Sequence, residues 1–343
     1  MNNRILVMTA VGKSELRDVQ TKPLSEDEVL IKVEACGLCT WERYIYSGEE
    51  PAGFPFHGGH ETAGTVVEMG DAVQGLTPGL PVAVVSWKRC NACVPCRRGF
   101  DNHCETMMGE LPEGTLWGPA GFAQYLVVKR YEVFPLGDKV PVHFGILAEP
   151  LSCVVRSIKR SHIKPEEKAV VIGAGLMGLL FMKVLKHRGN RVVVVQRSEA
   201  RRKLALSMGA DLVVDPQQEG WENLVIDYTG GYGAEAIFYT AGGASMLNTC
   251  LHLAAIGGSI LMYAPLYDDA AVLEADVIHF RELNVVGSIR HDKESAFEAV
   301  RLLGSGELDL QGLNLVFEDL ERFEEGIERA NEDRNIHRIM FRA

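Results

Sequence analysis

Lys168-Ala169-Val170-Val171-Ile172-Gly173-Ala174-Gly175-Leu176-Met177-Gly178 is the stretch that decides the fold. Its first five residues are almost wholly apolar and read as a strand buried on both faces. Leu176 to His187 then has helical periodicity, and Gly189-Asn190 supplies its C-cap. A G-x-G-x-x-G is weak evidence alone, but between a buried strand and a helix start it is a dinucleotide-binding fingerprint. Gly173 makes the tight turn, Gly175 lets the backbone approach a pyrophosphate, and Gly178 allows close helix–strand packing. The amides that open the helix, at Leu176 and Met177, attract the anion. A glycine loop needed only for packing is the alternative. Further buried strands are expected at Arg191–Val195, Leu212–Val214, Ala236–Tyr239, Ser259–Met262 and Leu283–Val286. Strands alternating with helical stretches imply βαβ units and a doubly wound parallel α/β sheet.

Outside this region the texture changes. Residues 1 to about 145 read as short strands and turns, such as Val29–Val33 and Ala63–Val67, punctuated by Thr77-Pro78-Gly79 and Gly118-Pro119. The tail predicts helices at Ser295–Leu303 and Leu320–Asn331 and a closing strand at Arg338–Phe341. A chain of 343 residues suggests two domains. With 47% apolar and 24% charged residues it reads as globular, not as collagen, coiled coil or disordered chain. A net charge of −11 offers no broad basic face, so no nucleic-acid partner is expected. Apolar runs such as Ala169–Ile172 and Val192–Val195 fall far short of the ~20 residues that span a bilayer, so no membrane association is expected. The opening residues lack a signal-peptide core and read as a strand, which makes the expected location cytoplasmic.

The eight cysteines carry the next clue. Reduced, clustered thiols more often bind metal than form disulfides. Cys90, Cys93, Cys96 and Cys104 are separated by two, two and seven residues. Four thiolates so close can surround one zinc tetrahedrally, leaving no open position, so the role is structural. Buried free thiols and an iron–sulfur centre are the weaker alternatives. A second constellation is dispersed: Cys39, His60-Glu61 and Glu149. Three protein ligands and one open position make a catalytic zinc site.

Cys36-Gly37-Leu38-Cys39, Gly59-His60-Glu61-Thr62-Ala63-Gly64, the four-cysteine lobe, Glu149-Pro150-Leu151-Ser152 and the glycine-rich loop follow one another as in zinc-dependent medium-chain dehydrogenases. The resemblance spans essentially the whole chain and looks most like the polyol (sorbitol)/threonine dehydrogenase branch. It implies a β-rich, chaperonin-10-like catalytic domain at 1–150 with a structural-zinc lobe at about 88–106. A Rossmann domain at 151–289 and a return to the catalytic domain at 290–343 would follow, with substrate between the domains. It implies that Cys39 binds catalytic zinc while Cys36 is a packed thiol, and that His60 is the nitrogen ligand. Glu61 and Glu149 would be direct ligands or carboxylates behind the ligand set. The implied reaction is interconversion of a secondary alcohol (polyol, cyclitol or sugar-like) and a ketone by hydride transfer to a nicotinamide. A homo-oligomer, a tetramer or else a dimer, is also implied.

Three features depart from the family pattern. Trp41 stands where a proton-relay hydroxyl is usual, and its indole can only donate. Tyr44 replaces the usual relay histidine, which leaves Thr40, Tyr44, Glu61 or water to take the proton. Trp41 becomes either a pocket wall or a substrate-stacking group. Measured back from Met208-Gly209-Ala210-Asp211, the acidic position that meets the ribose of NAD is Gln196, followed by Arg197 and close to Arg201 and Arg202. Loss of a carboxylate and a gain of guanidinium groups favour NADP over NAD. Arg290 matches a segment that projects an arginine into the substrate pocket, although an interdomain salt bridge would explain it as well. Two other readings stay open: a zinc- and nucleotide-binding sensor or scaffold without turnover, and an NADPH-dependent carbonyl or alkene reductase.

Overall fold

The computed structural model describes residues 1–86, 88–108, 116–266 and 271–343. They divide into two compact units. One comprises Met1–Ser152, His291–Gly306 and Asn314–Ala343; the other comprises Cys153–Arg290 and Glu307–Leu313.

The second unit is built on six parallel strands among the described residues. In chain numbering their order is Leu212–Val214, Arg191–Val195, Lys168–Ile172, Ala234–Tyr239, Ala254–Met262, Asn284–Gly287. Taken as first to sixth, this is the 3-2-1-4-5-6 order of a dinucleotide-binding sheet, with the fingerprint at the switch point. The central strands are buried because both faces are covered: Ala169–Val171 and Val192–Val193 are 0% exposed. Helix Leu176–His187 ends where its sequence says it should. Gly189 takes φ 87°. The Gly189 amide bonds the Lys186 carbonyl and the Asn190 amide the Leu185 carbonyl, which closes the helix with a Schellman cap. The strand expected from Ser259 starts earlier, at Ala254, because a bulge absorbs Gly257-Gly258: Ala234 pairs Ala254 while Ala236 pairs Ser259.

In the first unit, seven strands among the described residues share a sheet. Leu315–Asp319, Arg338–Arg342, Glu28–Gly37, Glu61–Met69, Pro81–Val85 and Val133–Pro135 follow in order, and Tyr125–Lys129 also pairs with Glu28–Gly37. Its core packs Val29, Ile31, Val66, Val84, Phe122, Phe323 and Phe341. Asn2–Ala10 forms a hairpin with Lys13–Gln20. The latter strand is polar and mostly exposed, so it has no apolar alternation to betray it and is held by its partner strand. No helix among the described residues is long and apolar enough to cross a membrane.

Candidate active site

Strand register assembles the first cluster. Glu28–Gly37 and Glu61–Met69 run antiparallel with Gly37 opposite Glu61. Cys39 lies two residues beyond one member of that pair and His60 one residue before the other, so the register brings both to the same end of the sheet. On the other side, Met340 pairs Gly37, which carries Arg338 to this end as well. Arg338 Nη1 donates to the Leu38 carbonyl at 2.9 Å, and Nη2 lies 2.8 Å from Glu61 Oε1. Helix Thr40–Ser47 starts at once after Cys39, whose side chain makes no cap. Its thiol is therefore left at a helix N-terminus, beside His60.

Two donor groups meet at His60: Cys39, Glu42 and His60 lie within 4.8 Å of one another, as do His60, Glu61 and Glu149. Glu42 is fully buried; its Oε1 accepts the Gly59 amide at 3.1 Å and lies 2.6 Å from His60 Nδ1. With Nδ1–H donated to this carboxylate, Nε2 is the nitrogen whose proton a metal would displace, and it faces Glu149 Oε2 at 3.8 Å. Donors about 2.1 Å from one tetrahedral ion stand roughly 3.4 Å apart. The pair therefore has the spacing of two ligands of one metal, and thiol, imidazole and carboxylate form a zinc donor set. Burial alone disfavours an imidazolium at His60, but the Glu42 charge and the bonds to Cys39 and Glu42 carry its pKa well above the ordinary range. Burial pushes Glu61 up to about 7, against the attraction of Arg338. His291 is fully buried, with Nε2 3.9 Å from Glu149 Oε1. Burial and the neighbouring Arg89 charge bring its pKa down to about 3.

Trp41 stands edge-on to His60, with centroids 5.6 Å apart, and also meets Phe56 and Trp117. It is a wall beside the imidazole. Thr40 is exposed at the helix start, and Tyr44 lies one turn further on, half-buried. Cys36 is a packed thiol, 1% exposed and beside the Thr62 hydroxyl. Sequence reasoning gave no role to Glu42, Arg338 or His291. Glu42 carried a signal, being a carboxylate three residues after the metal cysteine; Arg338 and His291 carried none, because strand register and loop packing bring them in from far along the chain.

The second cluster is local. Cys90, Cys93, Cys96 and Cys104 have all four sulfurs within 4.8 Å of one another. The amides of Cys93 and Ala92 point at Cys90 Sγ, at 3.2 and 3.4 Å, and the Cys90 amide points at Cys104 Sγ at 3.2 Å. Burial raises the Cys104 thiol, but the bonds from Thr106 and the Cys90 amide bring it down to about 6. Amides turned toward sulfur suit thiolates on a metal, and the four-residue helix Val94–Arg97 buries none of its side chains.

In the second unit the fingerprint glycines have distinct surroundings. Gly173 takes φ 102°, and a Cβ on Gly178 would sit 2.0 Å from the Gly173 carbonyl oxygen. A Cβ on Gly175 would meet only Arg201 Nη1, at 3.9 Å, so the turn has an open face. No side chain caps the helix there, which leaves the amides of Leu176, Met177 and Gly178 for an anion. Gln196 Oε1 accepts the Ser198 amide at 3.0 Å. Arg202 pairs with Asp215 at 2.8 Å and donates to the Gln196 carbonyl at 3.0 Å, so it is committed to the loop. Arg197 is exposed and Arg201 half-buried above the glycine turn. Arg290 takes φ 61°, in a loop where Arg160 donates to the Gly287 carbonyl and Ser157 to Ser288.

A nucleotide-binding sheet, a closed four-thiol site and an open thiol–imidazole–carboxylate site together define a metal-dependent dehydrogenase. Comparison with known proteins agrees. Residues 25–138 match the family described as alcohol dehydrogenase GroES-like domain, and residues 177–305 match zinc-binding dehydrogenase. Scyllo-inosose 3-dehydrogenase of Thermotoga maritima is 30% identical over 91% of this chain and 85% of its own length. L-threonine 3-dehydrogenase of Pyrococcus abyssi is 31% identical over 92% and 91%. A structure from Sinorhizobium meliloti 1021, described as a zinc-binding dehydrogenase bound to NADP, superposes with a TM-score of 0.89 at 26% identity and covers 100% of both chains. The chain belongs to the zinc-dependent medium-chain dehydrogenases, in the polyol and threonine dehydrogenase branch. It is an NAD(P)-dependent oxidoreductase of secondary alcohols.

Proposed function

We propose that this enzyme interconverts a polyol, cyclitol or sugar-like secondary alcohol and its ketone, using NADP. The observation that carries the reading is His60, with Nδ1 held by Glu42, Nε2 turned to Glu149, and the Cys39 thiol within 4.8 Å of the imidazole. Zinc held there would polarise the alcohol oxygen, and a bound nicotinamide would accept the hydride. Cys39, His60 Nε2 and Glu149 are the ligands in this reading. Glu61, paired with Arg338, is the carboxylate behind them. Cys90, Cys93, Cys96 and Cys104 hold the structural ion.

Thr40, next to Cys39 and exposed, passes the substrate proton to solvent. Tyr44, one helical turn on, supports it, and Trp41 shapes the wall against which the substrate carbon skeleton packs. Arg290 contacts substrate hydroxyls; its positive φ in a clamped loop supports a selected placement. Gly173, Gly175, Leu176, Met177 and Gly178 bind the pyrophosphate. Gln196 leaves no fixed negative charge at the adenosine ribose, while Arg197 and Arg201 meet the 2′-phosphate.

The first catalytic domain is read as residues 1–150, with the nucleotide domain at 151–289. A reducing compartment, the cytosol, suits this reading, because clustered metal-binding thiols must stay reduced to hold their ions. A homo-oligomer is supported by the outer edge of Asn284–Gly287 and by exposed Ile256, Phe280 and Val285 in the same unit, while the choice of a tetramer rests on the family resemblance alone.

Turnover on polyols, inositols and sugar ketones with NADP(H), with and without chelator, tests the reading. Activity that disappears with the catalytic zinc supports it. Metal and cofactor binding without turnover on any alcohol of the panel contradicts it, as does activity indifferent to loss of both ions.

A further inference from the structure

The two metal sites are joined by a chain of side chains within the first unit. Asp101 lies inside the thiol lobe, between Cys96 and Cys104, and is 4% exposed. Its Oδ2 stands 2.7 Å from Arg89 Nε and accepts the Lys293 amide at 3.3 Å. Arg89 Nη2 reaches His291 Nδ1 at 3.2 Å and the His291 carbonyl at 3.4 Å. The His291 Nε2 lies 3.9 Å from Glu149 Oε1, and Glu149 Oε2 lies 3.8 Å from His60 Nε2.

The chemistry of these donors fixes the direction of the chain. A guanidinium can only donate, so the nitrogen it meets must carry a lone pair. That assigns the proton of a neutral His291 to Nε2, the nitrogen turned toward Glu149. A shift of roughly 1 Å brings this pair to hydrogen-bonding distance. An N–H directed at Oε1 selects Oε2 as the oxygen presented beside His60. We propose that His291 is a positioning residue for Glu149, locked by Arg89 in its Nε2–H tautomer, and that the thiol lobe sets this lock through Asp101. The lobe thereby acts on the catalytic donor set as well as on stability. Outer partners of metal ligands typically change metal affinity roughly ten- to a hundredfold.

This inference rests on the reading of Glu149 as a ligand, and metal analysis of the unmutated protein separates the two: about one ion per chain would overturn that reading first. With two ions present, His291→Phe should keep the thiol-bound ion and hold the other roughly ten- to a hundredfold more weakly in chelator competition. The visible bands of cobalt at the catalytic site should shift as its ligand geometry loosens. His291→Gln, which retains a side-chain N–H, should restore part of the affinity. Unchanged affinity and an unchanged cobalt spectrum in His291→Phe would overturn the proposal. Nitrogen-15 NMR of histidine-labelled, unmutated holoenzyme gives a readout independent of whether the variants fold. A neutral imidazole protonated at Nε2 is expected for His291; protonation at Nδ1, or at both nitrogens, would overturn it.

Discussion

The two candidate metal sites of the first unit are built by opposite strategies. The four-thiol lobe draws all its ligands from residues 90–104, and its amides turn onto its own sulfurs. The other gathers its donors from separate segments, Cys39 and Glu42 on one side of His60 and Glu61 and Glu149 on the other, with Glu42 on His60, Arg338 on Glu61 and His291 facing Glu149. A local site is a folding element, because its ion replaces a missing core. A dispersed site is a product of folding, because strand register has to exist before its donors meet. Loss of metal should therefore be felt mainly as instability in the first and as lost chemistry in the second.

The sharpest break of this comparison is His60→Ala. It removes the imidazole shared by both donor groups, so turnover should fall by more than about a thousandfold, with the catalytic ion lost and NADP binding kept. Wild-type rates in a variant verified by metal analysis would show that the dispersed cluster is not the reaction centre. Next in size, Cys93→Ser should lose the other ion and destabilise its unit by more than about 4 kcal/mol, lowering Tm by roughly 10 °C. Lost activity with both ions and the melting curve unchanged would contradict a structural role.

The same contrast explains what was legible beforehand. C-x-x-C-x-x-C in one loop can be read without a fold, because its geometry follows from spacing. The glycine fingerprint was readable for the same reason, and so was the parallel sheet, whose strands are short apolar runs. Cys39, His60 and Glu149 could be singled out only by their resemblance to a family pattern, since nothing local links them. Arg338 and His291 stayed hidden: one arrives through the pairing of Met340 with Gly37, the other through a guanidinium 202 residues away in sequence. Lys13–Gln20 was hidden because a polar edge strand has no apolar face to alternate.

Two smaller effects sharpen the account. Glu42→Gln keeps an acceptor for His60 Nδ1 but removes the charge, so the catalytic ion should bind roughly ten- to a hundredfold more weakly while the lobe's ion is untouched. Equal loss at both sites, read by chelator competition, would point to general unfolding. In the nucleotide unit, a charge-assisted guanidinium contact is worth about 1.5–3 kcal/mol, so NADP should bind roughly ten- to a hundredfold more tightly than NAD. Arg197→Ala should erase most of that ratio and Gln196→Asp should reverse it. If Arg201→Ala, not Arg197→Ala, removes the preference, the phosphate sits over the glycine turn. Equal or tighter binding of NAD to the unmutated protein would contradict the assignment.

The most direct measurement is a crystal structure of the zinc-loaded enzyme with anomalous data collected at the zinc edge. Two peaks per chain are expected. One lies among Cys90, Cys93, Cys96 and Cys104; the other lies on Cys39, Nε2 of His60 and Glu149, with Glu42 still on Nδ1. A second peak bound through Nδ1, or no peak beside His60 in protein that turns over, would contradict the claim that the dispersed cluster is the catalytic zinc site.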